Sequence, residues 1–135
     1  RDRDMESMMK KNIRRLGLLV LFPVLAFHAL ADWPQEAEKI HLLLNGIVEL
    51  DAVFIRNGAE HTPEQSVEHL QMKLERAQNS WFAPGKEAWT AELFIEKIAS
   101  KSSISGKLYK IRFKNGKTIT AREWLKKKLT AISTE

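Results

Sequence analysis

From residue 34 onward the apolar positions fall into four helical runs, separated by short runs with the look of strands. Ala37, Ile40, Leu44, Ile47 and Val48 recur at helical spacing and predict a helix from about Pro34 to Leu50. Pro34 suits the first helical position, where its missing N–H costs nothing. Leu42 and Leu43 widen the apolar face, and the internal Asn45-Gly46 works against the helix, since glycine costs about 1 kcal/mol relative to alanine. Val53 to Ile55 is a short apolar run that ends at Arg56-Asn57-Gly58, a turn signal; it reads as a strand or an ordered loop. Thr62-Pro63-Glu64-Gln65 opens a second helix as a capping box, with Val67, Leu70, Leu74 and Ala77 as its buried stripe. Ser80 to Trp89 contains Pro84-Gly85 and reads as a loop. Thr90 caps a third helix that buries Leu93, Phe94, Ile95 and Ile98 and stops at 101–106.

Leu108 to Phe113 alternates as a strand, with Tyr109, Ile111 and Phe113 on one face, and turns at Asn115-Gly116 into Lys117 to Thr120. A three-residue loop, Lys114-Asn115-Gly116 with Gly116 in the left-handed region, pairs Ile111 with Ile119. A two-residue turn would put Ile119 on the charged face, so the longer loop is preferred. Thr120-Ala121-Arg122-Glu123 caps the last helix, which turns Trp124, Leu125, Leu129 and Ile132 inward. The expected fold is a small α+β domain: three helices, a β-hairpin packed on them, and a C-terminal helix.

The first thirty residues have a different character. Lys10, Lys11, Arg14 and Arg15 lead into an apolar run from Leu16 to Leu30 that ends in Ala29-Leu30-Ala31. That order is a secretory leader over residues 1–31, cleaved after Ala31, with Met5, Met8 and Met9 as possible starts. An uncleaved anchor is the alternative, but a spanning helix needs about 20 apolar residues, and this run also holds Pro23 and His28. The expected mature domain is 32–135, periplasmic, with no stable membrane span after cleavage. It has no cysteine, hence no disulfide and no lipid-modified N-terminal cysteine.

Charge divides the mature chain. Residues 32–96 hold five basic and twelve acidic residues, net −7; residues 97–128 hold eleven basic and one acidic, net +10. The near balance of the whole argues against nucleic acid. The asymmetry is met either inside the molecule, by pairing of the two parts, or outside it, by an anionic partner.

Candidate chemistry is sparse. Gly116-Lys117-Thr118 lacks the first glycine of a phosphate loop and lies on a hairpin. His61 and His69 have neither the spacing nor the partners of a zinc site, and no metal or cofactor is expected. Ser102, Ser103 and Ser105 flank Gly106 with His69 as the one plausible base, but no nucleophile motif surrounds them, and turn-forming hydroxyls are the plainer account. Arg56 is harder to explain, because a guanidinium within an apolar run needs several acceptors or an anion. It either clamps helix-end carbonyls or a carboxylate such as Glu68 or Glu92, or lines a polar pocket with His69 and the Ser102–Ser105 loop.

Phe54-Ile55-Arg56-Asn57-Gly58, Glu68-His69-Leu70 with Lys73-Leu74, Thr90-Ala91-Glu92 with Phe94-Ile95 and Ile98-Ala99-Ser100, then Ser102 to Gly106 and Tyr109, resemble the YfeK-like family over roughly residues 36–125. These are small exported proteins of Gram-negative bacteria, grouped as a domain of unknown function. The resemblance implies a periplasmic single domain and no activity. The link from Leu74 to Thr90 is longer than the resemblance implies and carries Trp81, Phe82 and Trp89, either as an extra contact surface or folded onto the core.

The expected function is a non-enzymatic binding module. Its basic hairpin and last helix (Lys114, Lys117, Lys127) would meet an anionic envelope polymer or an acidic envelope protein. The alternative is a small hydrolase or anionic-ligand-binding protein with a pocket around Arg56, His69, Ser103 and Ser105.

Overall fold

The computed structural model describes residues 33–82 and 85–135. The leader expected over 1–31, and its cleavage after Ala31, lie outside the described residues. Residues 33–135 form one compact unit.

The first helix, α1 (Trp33–Val48), ends two residues earlier than expected and buries Ile40, Leu43, Leu44 and Ile47. Its Gly46 is buried rather than wasted. A Cβ there would come within 3.1 Å of both Trp124 and Lys128, so the missing side chain lets the last helix lie close. Thr62 caps α2 (Pro63–Gln78) with both bonds of the capping box in place. The third helix is shorter and less regular than its apolar pattern implies. One α-helical turn, α3 (Ala91–Phe94), continues as a π-helical stretch over Ile95–Ala99. Thr90 Oγ1 accepts from Leu93 N–H, and Glu36 Oε2, reaching across from α1, accepts from Ala91 N–H at 2.7 Å. At the far end the Ser100 hydroxyl donates back to the Ile95 carbonyl at 2.6 Å.

In place of a lone hairpin there is a four-stranded antiparallel sheet, built from two hairpins in the order β2-β1-β3-β4. Strand β1 (Ala52–Arg56) turns through Asn57-Gly58, both at positive φ (51° and 79°), into β2 (Ala59–His61). Two left-handed residues suit the right-handed twist of the strands they join, and Asn-Gly is the pair that tolerates them most readily. Strand β2 has no apolar alternation, which is why the pattern of the chain does not announce it. Strand β3 (Lys110–Phe113) pairs with β1 and turns through Lys114-Asn115-Gly116, with Gly116 at φ 85°, into β4 (Thr118–Thr120). Ile111 faces Ile119, the register that burial demanded.

Phe54 and Ile111 stand opposite one another and turn the same sheet face to the helices, where they join Leu43, Ile47, Phe94, Ile95 and Leu125 in one core. Strand alternation puts Arg56, two residues beyond Phe54, on that face at the end of β1. The last helix, α4 (Ala121–Ser133), is capped by Thr120 as expected. The reciprocal bond of the capping box is replaced, since Glu123 Oε1 accepts from Lys127 one turn on.

The aromatic link divides. Trp89 is buried, whereas Trp81 and Phe82 are 93% and 94% exposed. No helix among the described residues is long and apolar enough to cross a membrane.

Candidate functional site

A groove of about 860 Å³ lies between α2, the π-helical stretch and the 101–106 turn, open beside the end of β1. Four basic residues line it: Arg56 from the strand, Lys73 and Arg76 from α2, and Lys97 from the π-helical stretch. Among the described residues no carboxylate lines it. Residues 32–96 hold only five basic residues against twelve acidic ones, and three of the five converge here. The helical spacing of His69, Lys73 and Arg76 makes this possible, because positions four and three apart share one face of α2.

Lys73 is the best-held of these cations. Its Nζ donates to the Ile98 carbonyl at 2.8 Å and the Lys101 carbonyl at 2.7 Å, at the end of the π-helical stretch, where backbone acceptors have no helical partner. The same ammonium lies 3.4 Å from the Tyr109 hydroxyl and 5.2 Å from the centroid of its ring. Lysine can only donate, so the hydroxyl accepts from it, and His69 Nε2 shares a hydrogen bond with the same hydroxyl at 3.4 Å. The two rings meet edge to face.

The electrostatics are one-sided. Burial pushes the His69 imidazole below its ordinary value, and the charges of Arg56 and Lys73 push it further the same way, with smaller contributions from His61 and Arg76. Burial, with Lys101 beside it, also lowers Lys73. His61 is lowered by burial and then by Arg56. Burial raises the Tyr109 hydroxyl against the opposing pull of Arg56. A carboxylate in the cluster would oppose these shifts at the histidines. The arrangement is that of a site short of negative charge.

The wall of the groove is set by Asn57. Its side chain donates to Ser102 Oγ at 3.3 Å and accepts from the Ser105 hydroxyl, tying the β1–β2 turn to the 101–106 turn. Ser102 Oγ also accepts from the N–H groups of Ile104 and Ser105, both at 3.3 Å.

Of the residues expected in the pocket, Arg56, His69 and Ser103 come together in the groove, while Ser105 is bonded to Asn57 on its flank. His69 has Tyr109 as its polar partner, with neither a serine nor a carboxylate in hydrogen-bond contact, so no triad forms. The clamp expected of Arg56 is not made: among the described residues it has no hydrogen bond or ion pair to Glu68, Glu92 or a helix-end carbonyl. Lys73 holds those carbonyls instead. Among the described residues no three His, Asp or Glu side chains gather as a metal site would require.

Apart from Lys97, the basic residues of the last third lie elsewhere, and five of the eleven are matched by carboxylates. Lys114 pairs with Asp51, Arg112 with Glu60 and Lys127 with Glu123. Glu96 takes both Arg122 (2.8 Å) and Lys126 (3.0 Å), and their hydrogen bonds hold its carboxyl below the usual carboxylate range. Lys117 sits in the β3–β4 turn, with its backbone N–H donating to Asn115 Oδ1 at 2.9 Å. Asp51, Glu60 and Glu96 all come from the acidic part of the chain, so the two halves neutralise each other in part.

Sequence reasoning missed Lys73, Arg76, Lys97, Asn57 and Tyr109 as parts of one site. The helical spacing of His69, Lys73 and Arg76 was the available signal.

Residues 34–133 match the family of unknown function DUF5329, and the chain belongs to that family. A stretch of 76 residues is 41% identical to the uncharacterized protein YfeK of Salmonella typhimurium, covering 56% of this chain and 58% of that protein. No solved structure matches the chain.

Proposed function

We propose that this protein is a non-enzymatic binding module that holds an anionic group in the groove of Arg56, Arg76 and Lys97, with His69 at its inner end. One observation carries the reading: four cations, three of them from the acidic part of the chain, line a groove that no carboxylate among the described residues enters. Among the described residues Arg56, Arg76 and Lys97 have no ion-pair partner, whereas Lys114 and Lys127 do. This moves the binding surface from the basic hairpin to the groove. An arginine fork recognises carboxylate and phosphate oxygens in pairs. Periplasmic location belongs to the same proposal. It rests on the basic segment, apolar run and Ala29-Leu30-Ala31 of the leader, and N-terminal sequencing of the exported protein should begin at Asp32.

The test is calorimetric titration with inorganic tripolyphosphate at low ionic strength. Arg56→Ala and Arg76→Ala should each weaken binding by about tenfold, the usual worth of one charge-assisted contact. Lys114→Ala with Lys117→Ala should leave it within about twofold. The opposite ranking would return the binding role to the hairpin.

A further inference from the structure

Three large apolar side chains are almost completely uncovered: Trp81 at 93%, Phe82 at 94% and Ile104 at 98% exposed. Isolated exposed apolar residues are ordinary, but Ile104 lies in the groove-lining 101–106 turn, and Trp81 and Phe82 lie in the link that directly follows α2, whose last turns line the same groove. Ile104 lines the groove, and Trp81 follows the groove-lining Ala77 by four residues. Met72, on the same wall, is 41% exposed. The groove itself carries Arg76 and Lys97, and Lys101 and Lys107 bracket the Ile104 turn in sequence.

We infer that this end of the molecule docks on an anionic bilayer surface, with Trp81, Phe82 and Ile104 entering the interface and a lipid phosphate seated in the groove. The inference rests on the groove reading and names the source of the anion. Aromatic side chains settle at the headgroup level, where their apolar bodies leave water. Lysine and arginine held close to an anionic surface add about fivefold each to binding. Charge complementarity favours an anionic lipid over an uncharged one. Shape favours a bilayer over a protein partner: the three side chains project from turns at nearly full exposure, and a bilayer takes in projecting groups without the matched pockets that a protein interface needs.

The experiment uses the chain from Asp32, which carries the whole core, and two kinds of vesicle: phosphatidylcholine alone, and phosphatidylcholine mixed with phosphatidylglycerol. Co-sedimentation should show binding to the mixed vesicles and little to the neutral ones. Brominated lipids should quench tryptophan emission, and Trp81→Phe should remove most of that quenching. The triple variant Trp81→Ala, Phe82→Ala, Ile104→Ser should bind mixed vesicles at least about tenfold more weakly, since each buried methylene is worth roughly fourfold. The double variant Trp81→Ala, Phe82→Ala, which leaves the groove lining untouched, should bind tripolyphosphate as the wild type does. Tripolyphosphate binding without vesicle binding, as a protein partner would give, overturns the membrane inference and leaves the groove reading standing. Full vesicle binding by the triple variant also overturns it, as adsorption by charge alone. Failure to bind either ligand overturns both.

Discussion

The Lys73 ammonium lies 5.2 Å from the centroid of the Tyr109 ring while donating to the Ile98 and Lys101 carbonyls at 2.8 and 2.7 Å. The lysine of α2 thereby closes the end of the π-helical stretch and puts positive charge at the back of the groove. Lys73→Met keeps most of the apolar stem and removes the donor. It should lower stability by about 2–3 kcal/mol, as losing hydrogen bonds from a charged group does. Urea denaturation measures this, and a variant as stable as wild type would show that the two carbonyls are equally well served by water.

Asn57 stands at φ 51° with its side chain bridging Ser102 and Ser105. Two costs are therefore separable there. Asn57→Gly keeps the left-handed backbone and loses the bridge, for about 1 kcal/mol. Asn57→Ala loses the bridge and must also adopt a conformation that costs a further 1–2 kcal/mol or so. Thermal melts should rank wild type above the glycine variant and the glycine variant above alanine. An alanine variant as stable as the glycine one would remove the backbone contribution.

Gly46 tests how closely α1 and α4 pack. Helix propensity alone would favour Gly46→Ala by about 1 kcal/mol. The new Cβ would press on Trp124 Cη2 at 3.1 Å, and overpacking costs about 1–3 kcal/mol. We expect a net loss, recovered in part by adding Trp124→Phe, which withdraws that atom. Additive effects in the double-mutant cycle would mean that the two side chains do not meet.

These positions show where the sequence was legible. The apolar stripes of α1, α2 and α4, the Lys114-Asn115-Gly116 hairpin loop and the pairing of Ile111 with Ile119 follow from periodicity and turn chemistry alone, whereas Asn57-Gly58 read as a turn without its hairpin. Strand β2 did not, because Ala59-Glu60-His61 has no alternation and gains its place from pairing with β1. The π-helical stretch did not, because its apolar residues fit an α-helix equally well. Gly46 read as a defect and proves to be a crossing point. At the site, Arg56 stood out as a guanidinium within an apolar run and His69 as the one plausible base. Lys73, Arg76 and Lys97 did not, since a lysine or arginine on a helix is ordinarily a solvated one. Only the folded chain shows that these three face a common space with no carboxylate among the described residues in it.

The central claim is that an anion belongs beside His69, and the imidazole itself reports on this. Burial and the surrounding cations hold its folded pKa below the unfolded value of about 6.5. Between those two pH values the unfolded chain binds more protons than the folded one. This group therefore adds stability at neutral pH, and the contribution is lost as pH falls below about 6.5. A bound anion offsets the cations and favours the protonated ring. The decisive measurement is the His69 titration curve by NMR, in sulfate and in sodium chloride of equal ionic strength, since sulfate stays doubly charged throughout. The account predicts a higher His69 pKa in sulfate, with Arg76→Ala reducing the difference. Superimposable curves in the two salts would contradict it.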